Sequence, residues 1–126
     1  MKQTKCADVL VVEDQSADGQ LALTTLRGDG HTVRWVRSVR EARSSMGERP
    51  PDVLVLDLTL ETDGLELLQA LRFSAADPRG GIVVVTEAAD TRGRERAHQL
   101  GAAAVLAKPL RGPELAAAVR ELAAWL

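Results

Sequence analysis

Aromatic residues are nearly absent. Trp35, Phe73 and Trp125 are the whole set, and there is no tyrosine. The core must therefore be built from leucine, valine and alanine. Cysteine occurs once, as Cys6, which excludes an internal disulfide and a cysteine-based metal centre. No apolar run approaches the roughly 18 residues of a membrane span. The opening Met1-Lys2-Gln3-Thr4-Lys5-Cys6 is too short and too polar for a signal peptide. An excess of positive charge is missing as well. Lys plus Arg is 16 against 18 for Asp plus Glu, a formal net charge of −2, so nucleic acid is not an expected partner of this domain. A cytoplasmic setting without membrane contact fits these absences.

The chain has 126 residues, 45% apolar and 27% charged. That is one globular domain's worth of chain, and residues 1–126 are read as a single domain without linker or repeat. Val9-Leu10-Val11-Val12, Val53-Leu54-Val55-Leu56 and Ile82-Val83-Val84-Val85 are short, continuous apolar runs. Strands buried on both faces look like this, as in the parallel sheet of an α/β protein. Ala102 to Ala107 is a weaker run of the same kind, while His31 to Val36 alternates polar and apolar as an edge strand does.

Helical segments lie between the runs. The first covers about Ser16 to Arg27 and stops at Gly28-Asp29-Gly30. The second opens on Ser38 with Glu41 three residues later, a capping box. The third follows Gly64, the fourth runs from near Asp90 to a C-terminal Gly101, and the fifth has Pro113 in its first turn. Five strands alternating with five helices predict a doubly wound α/β fold.

The residues that follow the buried strands carry the chemistry. Glu13 and Asp14 follow the first, Asp57 the second, Thr86 the third, and Lys108 with Pro109 the last. In a doubly wound sheet these strand ends share one edge, where ligands bind. Three carboxylates gathered there need cations. Lys108 supplies one charge, and a hard divalent ion such as Mg²⁺ would supply two. A carboxylate beside Mg²⁺, a lysine and a hydroxyl is the equipment of phosphoryl transfer.

Val11-Val12-Glu13-Asp14, Val55-Leu56-Asp57, Val85-Thr86 and Ala107-Lys108-Pro109, in this order and spacing, resemble the receiver domain of two-component response regulators, chemotaxis regulators among them. The resemblance covers about Ala7 to Leu126. It implies a flavodoxin-like sheet of order 2-1-3-4-5 and a phosphorylatable signalling switch rather than a turnover enzyme. Asp57 would accept a phosphoryl group from a histidine kinase or a histidine phosphotransfer protein. Mg²⁺ would be held by Asp14 and Asp57, by Glu13 through water, and by the backbone carbonyl of Thr59. Thr86 and Lys108 would contact the phosphoryl group, and Lys108–Pro109 would be cis.

The chain departs from the family pattern twice. Glu61 stands where a proline is usual, in a connection one residue short, and Val105 stands where the last strand usually carries Tyr or Phe. An aromatic rotamer switch is therefore excluded, and output is expected through the stretch from Thr86 into the fourth helix. The alternative is a pseudo-receiver that signals by protein contact without phosphate. A haloacid-dehalogenase-type phosphohydrolase would need an acid where Thr59 stands, and a flavodoxin's phosphate would be repelled by Glu13-Asp14-Gln15.

The remaining polar residues have plainer expectations. His31 and His98 are expected in solvent, and Cys6 buried or half-buried. Arg92, Arg94 and Arg96 would form a solvated face or a docking surface for the downstream target. Trp125 either packs on the sheet or marks an interface.

Overall fold

The computed structural model describes residues 5–59 and 63–126. Among these, five strands alternate with five helices: β1 (Asp8–Val12), α1 (Ser16–Gly28), β2 (Thr32–Val36), α2 (Val39–Glu48), β3 (Val53–Asp57), α3 (Asp63–Leu71), β4 (Gly81–Glu87), α4 (Thr91–Gln99), β5 (Ala104–Lys108) and α5 (Gly112–Ala123). Every strand pair is parallel and the order is β2-β1-β3-β4-β5, as the resemblance implies.

The continuous apolar runs are explained by two cores, one on each face of the sheet. Because side chains alternate along a strand, Leu10, Val12, Leu54, Leu56, Ile82 and Val84 point to one face. There they meet Val39, Ala42 and Met46 of α2, Leu67, Leu68 and Leu71 of α3, and Ala97 of α4. Val9, Val11, Val53, Val55, Val83 and Val85 point to the other, against Ala22 and Leu26 of α1 and Leu115, Val119 and Ala123 of α5. Both faces of β1, β3 and β4 are covered, so a polar residue has no place in them until the strand ends.

Helix ends follow local chemistry. Ser38 Oγ accepts from the Glu41 amide at 3.0 Å, and Asp90 Oδ1 accepts from the Gly93 amide at 2.9 Å. Gly101, at φ +97°, ends α4 in the left-handed region that glycine adopts without strain.

Three expectations need correction. β5 covers Ala104–Lys108 rather than Ala102 to Ala107, and it is half-buried throughout because it is an outer strand with β4 alone beside it. His31 is buried, 4% exposed, not a surface residue. Its Nδ1 accepts from the Ala7 amide at 3.0 Å, tying the start of β2 to the start of β1. Burial pushes its pKa below the ordinary value; Asp29 opposes this and Arg120 adds to it. Cys6 is exposed, ahead of the first strand. His98 is exposed as expected, and Trp125 is 84% exposed. Glu61 lies outside the described residues. Among those that are described, no helix is long and apolar enough to cross a membrane.

Candidate functional site

The parallel sheet brings the ends of β1, β3, β4 and β5 to one edge. β1 delivers Glu13 and Asp14. Glu13 is buried and Asp14 exposed. The Glu13 amide donates to the Val36 carbonyl at 3.0 Å, so the chain stays paired with β2 one residue beyond the strand. Glu13 Oε1 accepts from the Gln15 amide at 2.9 Å.

β3 ends on Asp57, which is 1% exposed. Its Oδ1 accepts twice from Thr59, from the amide at 2.8 Å and from the hydroxyl at 2.7 Å. Its Oδ2 lies 2.7 Å from Lys108 Nζ, an ion pair across the mouth of the sheet. The same ammonium donates to Thr59 Oγ1 at 2.8 Å and stands 3.9 Å from Asp18 on α1. The Thr59 hydroxyl thus links lysine and aspartate, and the Lys108–Pro109 bond that follows is cis.

Carboxylate oxygens of Glu13, Asp14 and Asp57 lie within 4.8 Å of one another. This crowding shapes their acidity. Burial, reinforced by the hydrogen bond to Asp57 and its charge, pushes Glu13 up to about 8, against the pull of the Gln15 amide and Lys108. Burial acts to raise Asp57 too, but hydrogen bonds from Glu13, Lys108 and Thr59 outweigh it and hold Asp57 below the usual carboxylate range. Lys108 loses hydration, which alone would lower it; Asp57, Glu13 and Asp18 more than restore the charge and raise its pKa. Of the two acids, Glu13 therefore holds its proton the more tightly. Three carboxylates brought this close together are a donor set that suits a hard cation.

Thr86 and Val105 stand apart from this group. Thr86 is fully buried, and its Oγ1 donates to Asp90 Oδ2 at 3.0 Å. Val105 is half-buried, pairs with Val84 and packs on the α2–α4 side of the core.

Sequence reasoning missed three features of this edge. The Thr59 hydroxyl, the Asp18 carboxylate and the Asp90 partner of Thr86 all come from residues outside the strand ends. Thr59 was expected there only for its backbone carbonyl, and Asp90 only as the start of the fourth helix; Asp18 left no trace in the sequence.

A profile of the response regulator receiver domain matches residues 9–120. KdpE of Escherichia coli, the KDP operon transcriptional regulatory protein, is 32% identical over 114 residues, 90% of this chain and 49% of that protein. PhoB of Rhizobium meliloti, the phosphate regulon transcriptional regulatory protein, is 33% identical over 115 residues, 90% of this chain and 51% of that one. The chain thus spans about half the length of these relatives. Among solved structures, a response regulator from Chloroflexus aurantiacus superposes with a TM-score of 0.85 at 29% identity, over 95% of this chain and 99% of that one. Chemotaxis response regulator CheY4 of Vibrio cholerae shares the fold, with a TM-score of 0.83 at 24% identity over 93% and 98% of the two chains. With its acidic set complete beside a half-buried lysine, the chain belongs to the response regulator receiver domains, the phosphoacceptor switches of two-component signalling that take phosphate from histidine kinases.

Proposed function

We propose that Asp57 is the phosphoacceptor, and that it takes its phosphoryl group from a phosphohistidine on a kinase or phosphotransfer protein. A carboxylate oxygen of Asp57 attacks phosphorus, the phosphorus–nitrogen bond breaks, and its electron pair stays with the departing imidazole. Lys108 lies against Asp57 and neutralises charge on the phosphoryl oxygens. Asp14 and Asp57 would hold Mg²⁺ directly, with Glu13 acting through water and the Thr59 carbonyl as a further ligand. When bound, the ion supplies positive charge to the phosphoryl oxygens. The observation that carries the reading is a buried aspartate kept ionised by a lysine 2.7 Å away, beside two further acids.

Output would pass through α4. For Thr86 to reach a phosphoryl group on Asp57, its hydroxyl must leave Asp90, and Asp90 is also the N-cap of α4. Val105 is β-branched and short, so it cannot swing as a ring would. The exposed Arg92, Arg94 and Arg96 of α4 would then face the downstream target. The whole chain, residues 1–126, acts as one cytoplasmic receiver domain, a switch that catalyses only its own phosphorylation and hydrolysis.

Incubation with a small phosphodonor and Mg²⁺, followed by intact mass, tests this. One added phosphoryl mass is expected for the wild type, and none for Asp57→Asn or after chelation. Equal labelling of Asp57→Asn would refute the assignment.

A further inference from the structure

Two side chains of the β2 end reach across to the acidic turn and grip consecutive carbonyls. Trp35 Nε1 donates to the Glu13 carbonyl at 2.8 Å, and Arg37 Nη1 donates to the Asp14 carbonyl at 3.1 Å. Arg37 Nη2 also donates to Ser16 Oγ at 3.3 Å, at the start of α1. Trp35 lies in β2 and Arg37 one residue beyond its end. The Arg37 guanidinium stacks 4.5 Å over the Trp35 ring, which makes the two a single unit.

The indole lies so close to α1 that only glycine fits beneath it. A Cβ on Gly19 would fall 2.0 Å and 2.2 Å from ring atoms of Trp35. Packing fixes the ring, the ring aims its N–H, and the N–H holds the Glu13 backbone. Neither Trp35 nor Arg37 touches a carboxylate of the site. Their targets are the backbone of the two residues that must place oxygens within 4.8 Å of each other and of Asp57.

We infer that Trp35 and Arg37 are positioning residues for the acidic site: they clamp the Glu13–Asp14 backbone so that its carboxylates converge with Asp57 on a divalent cation. This rests on the Mg²⁺ reading above. Without the clamp the turn samples other conformations, and the converged set is a smaller share of them. Losing one hydrogen bond of ordinary strength weakens affinity about three- to tenfold.

Calorimetric Mg²⁺ titration of the full chain tests the inference. Trp35→Phe keeps a ring over Gly19 but has no N–H, and Arg37→Ala removes an exposed side chain. Both should bind Mg²⁺ about three- to tenfold more weakly than wild type. Val119→Ala, a core truncation between α5 and the sheet, should unfold more easily yet keep wild-type affinity. Wild-type affinity in Trp35→Phe, or equal weakening in Val119→Ala, would overturn the clamp. If Trp35→Phe does not fold, Arg37→Ala decides in the same titration. A Trp125→Phe protein provides a second reading, because Trp35 is then its only indole. Its emission should change with the same midpoint as Mg²⁺ binding, and an unchanged emission would count against the clamp. No saturable Mg²⁺ binding by the wild type would overturn the metal reading itself, and the clamp with it.

Discussion

Replacing Asp90 by alanine should make the protein less stable and at the same time easier to switch. The Asp90 side chain does two things at once. Its Oδ1 accepts the Gly93 amide as the α4 N-cap, and its Oδ2 accepts the buried Thr86 hydroxyl at 3.0 Å. Loss of an N-cap costs about 0.5–2 kcal/mol of stability, so the unfolding midpoint should fall. The Thr86 bond, made to a carboxylate, is worth about 1.5–3 kcal/mol. In the wild type that bond opposes any turn of Thr86 toward Asp57, by roughly ten- to a hundredfold at 1.4 kcal/mol per decade. Asp90→Ala removes the opposition and leaves the buried hydroxyl without its partner. Beryllofluoride, a phosphoryl mimic, should then bind about tenfold tighter in the presence of Mg²⁺, the lower end of that range because the freed hydroxyl loses its partner. Asp90→Asn, which keeps a cap and a neutral acceptor, should fall between. In amide spectra of the wild type, beryllofluoride should shift residues 86–96 while Val105 stays nearly still. Weaker or unchanged mimic affinity in Asp90→Ala, or shifts centred on Val105 with none in 86–96, would refute the coupling.

Three further outcomes follow from the same geometry. Glu13 holds a proton up to about pH 8, so a metal that needs the ionised acid should bind more tightly as pH rises from 6 to 8. The slope should approach tenfold per unit in calorimetric titrations and flatten in Glu13→Gln. The His31 pKa is lowered on folding, so the unfolded chain binds the proton more readily. That residue's contribution to stability should be full above about pH 6.5 and decline as pH falls below it. Urea unfolding at pH 5 and 7.5 should show a smaller acid-side loss in His31→Gln than in wild type, and an identical loss would contradict the burial. Gly19→Ala places a methyl group where the Trp35 ring lies. Overpacking of this kind should cost about 1–3 kcal/mol, and a neutral or stabilising change in the same assay would contradict the close approach.

The parts of the molecule that follow one-dimensional rules are legible in the sequence. Apolar runs such as Val53 to Leu56 must be buried on both faces, and a residue like Asp57 can only come after such a run. The convergence of Glu13, Asp14, Asp57 and Lys108 therefore follows from strand order. What could not be read depends on contacts between distant segments. His31 looks like a polar residue beside a glycine turn, and only the Ala7 amide, 24 residues away, makes its burial favourable. Cys6 resembles a small core residue, yet it precedes the first strand and is exposed. Trp35 sits in a strand with an alternating pattern, and no periodicity shows that Gly19 leaves room for its ring. The direction of the Thr86 hydroxyl is likewise a choice among rotamers, made here by Asp90.

Chemical trapping of the phosphoryl group tests the central claim most directly. Borohydride reduces an aspartyl phosphate to homoserine, which peptide mass spectrometry can locate after treatment with a phosphodonor and Mg²⁺. The account predicts homoserine at position 57 and nowhere else. Homoserine at position 14, or a phosphoryl mass that survives borohydride on a serine, threonine or histidine, would contradict it.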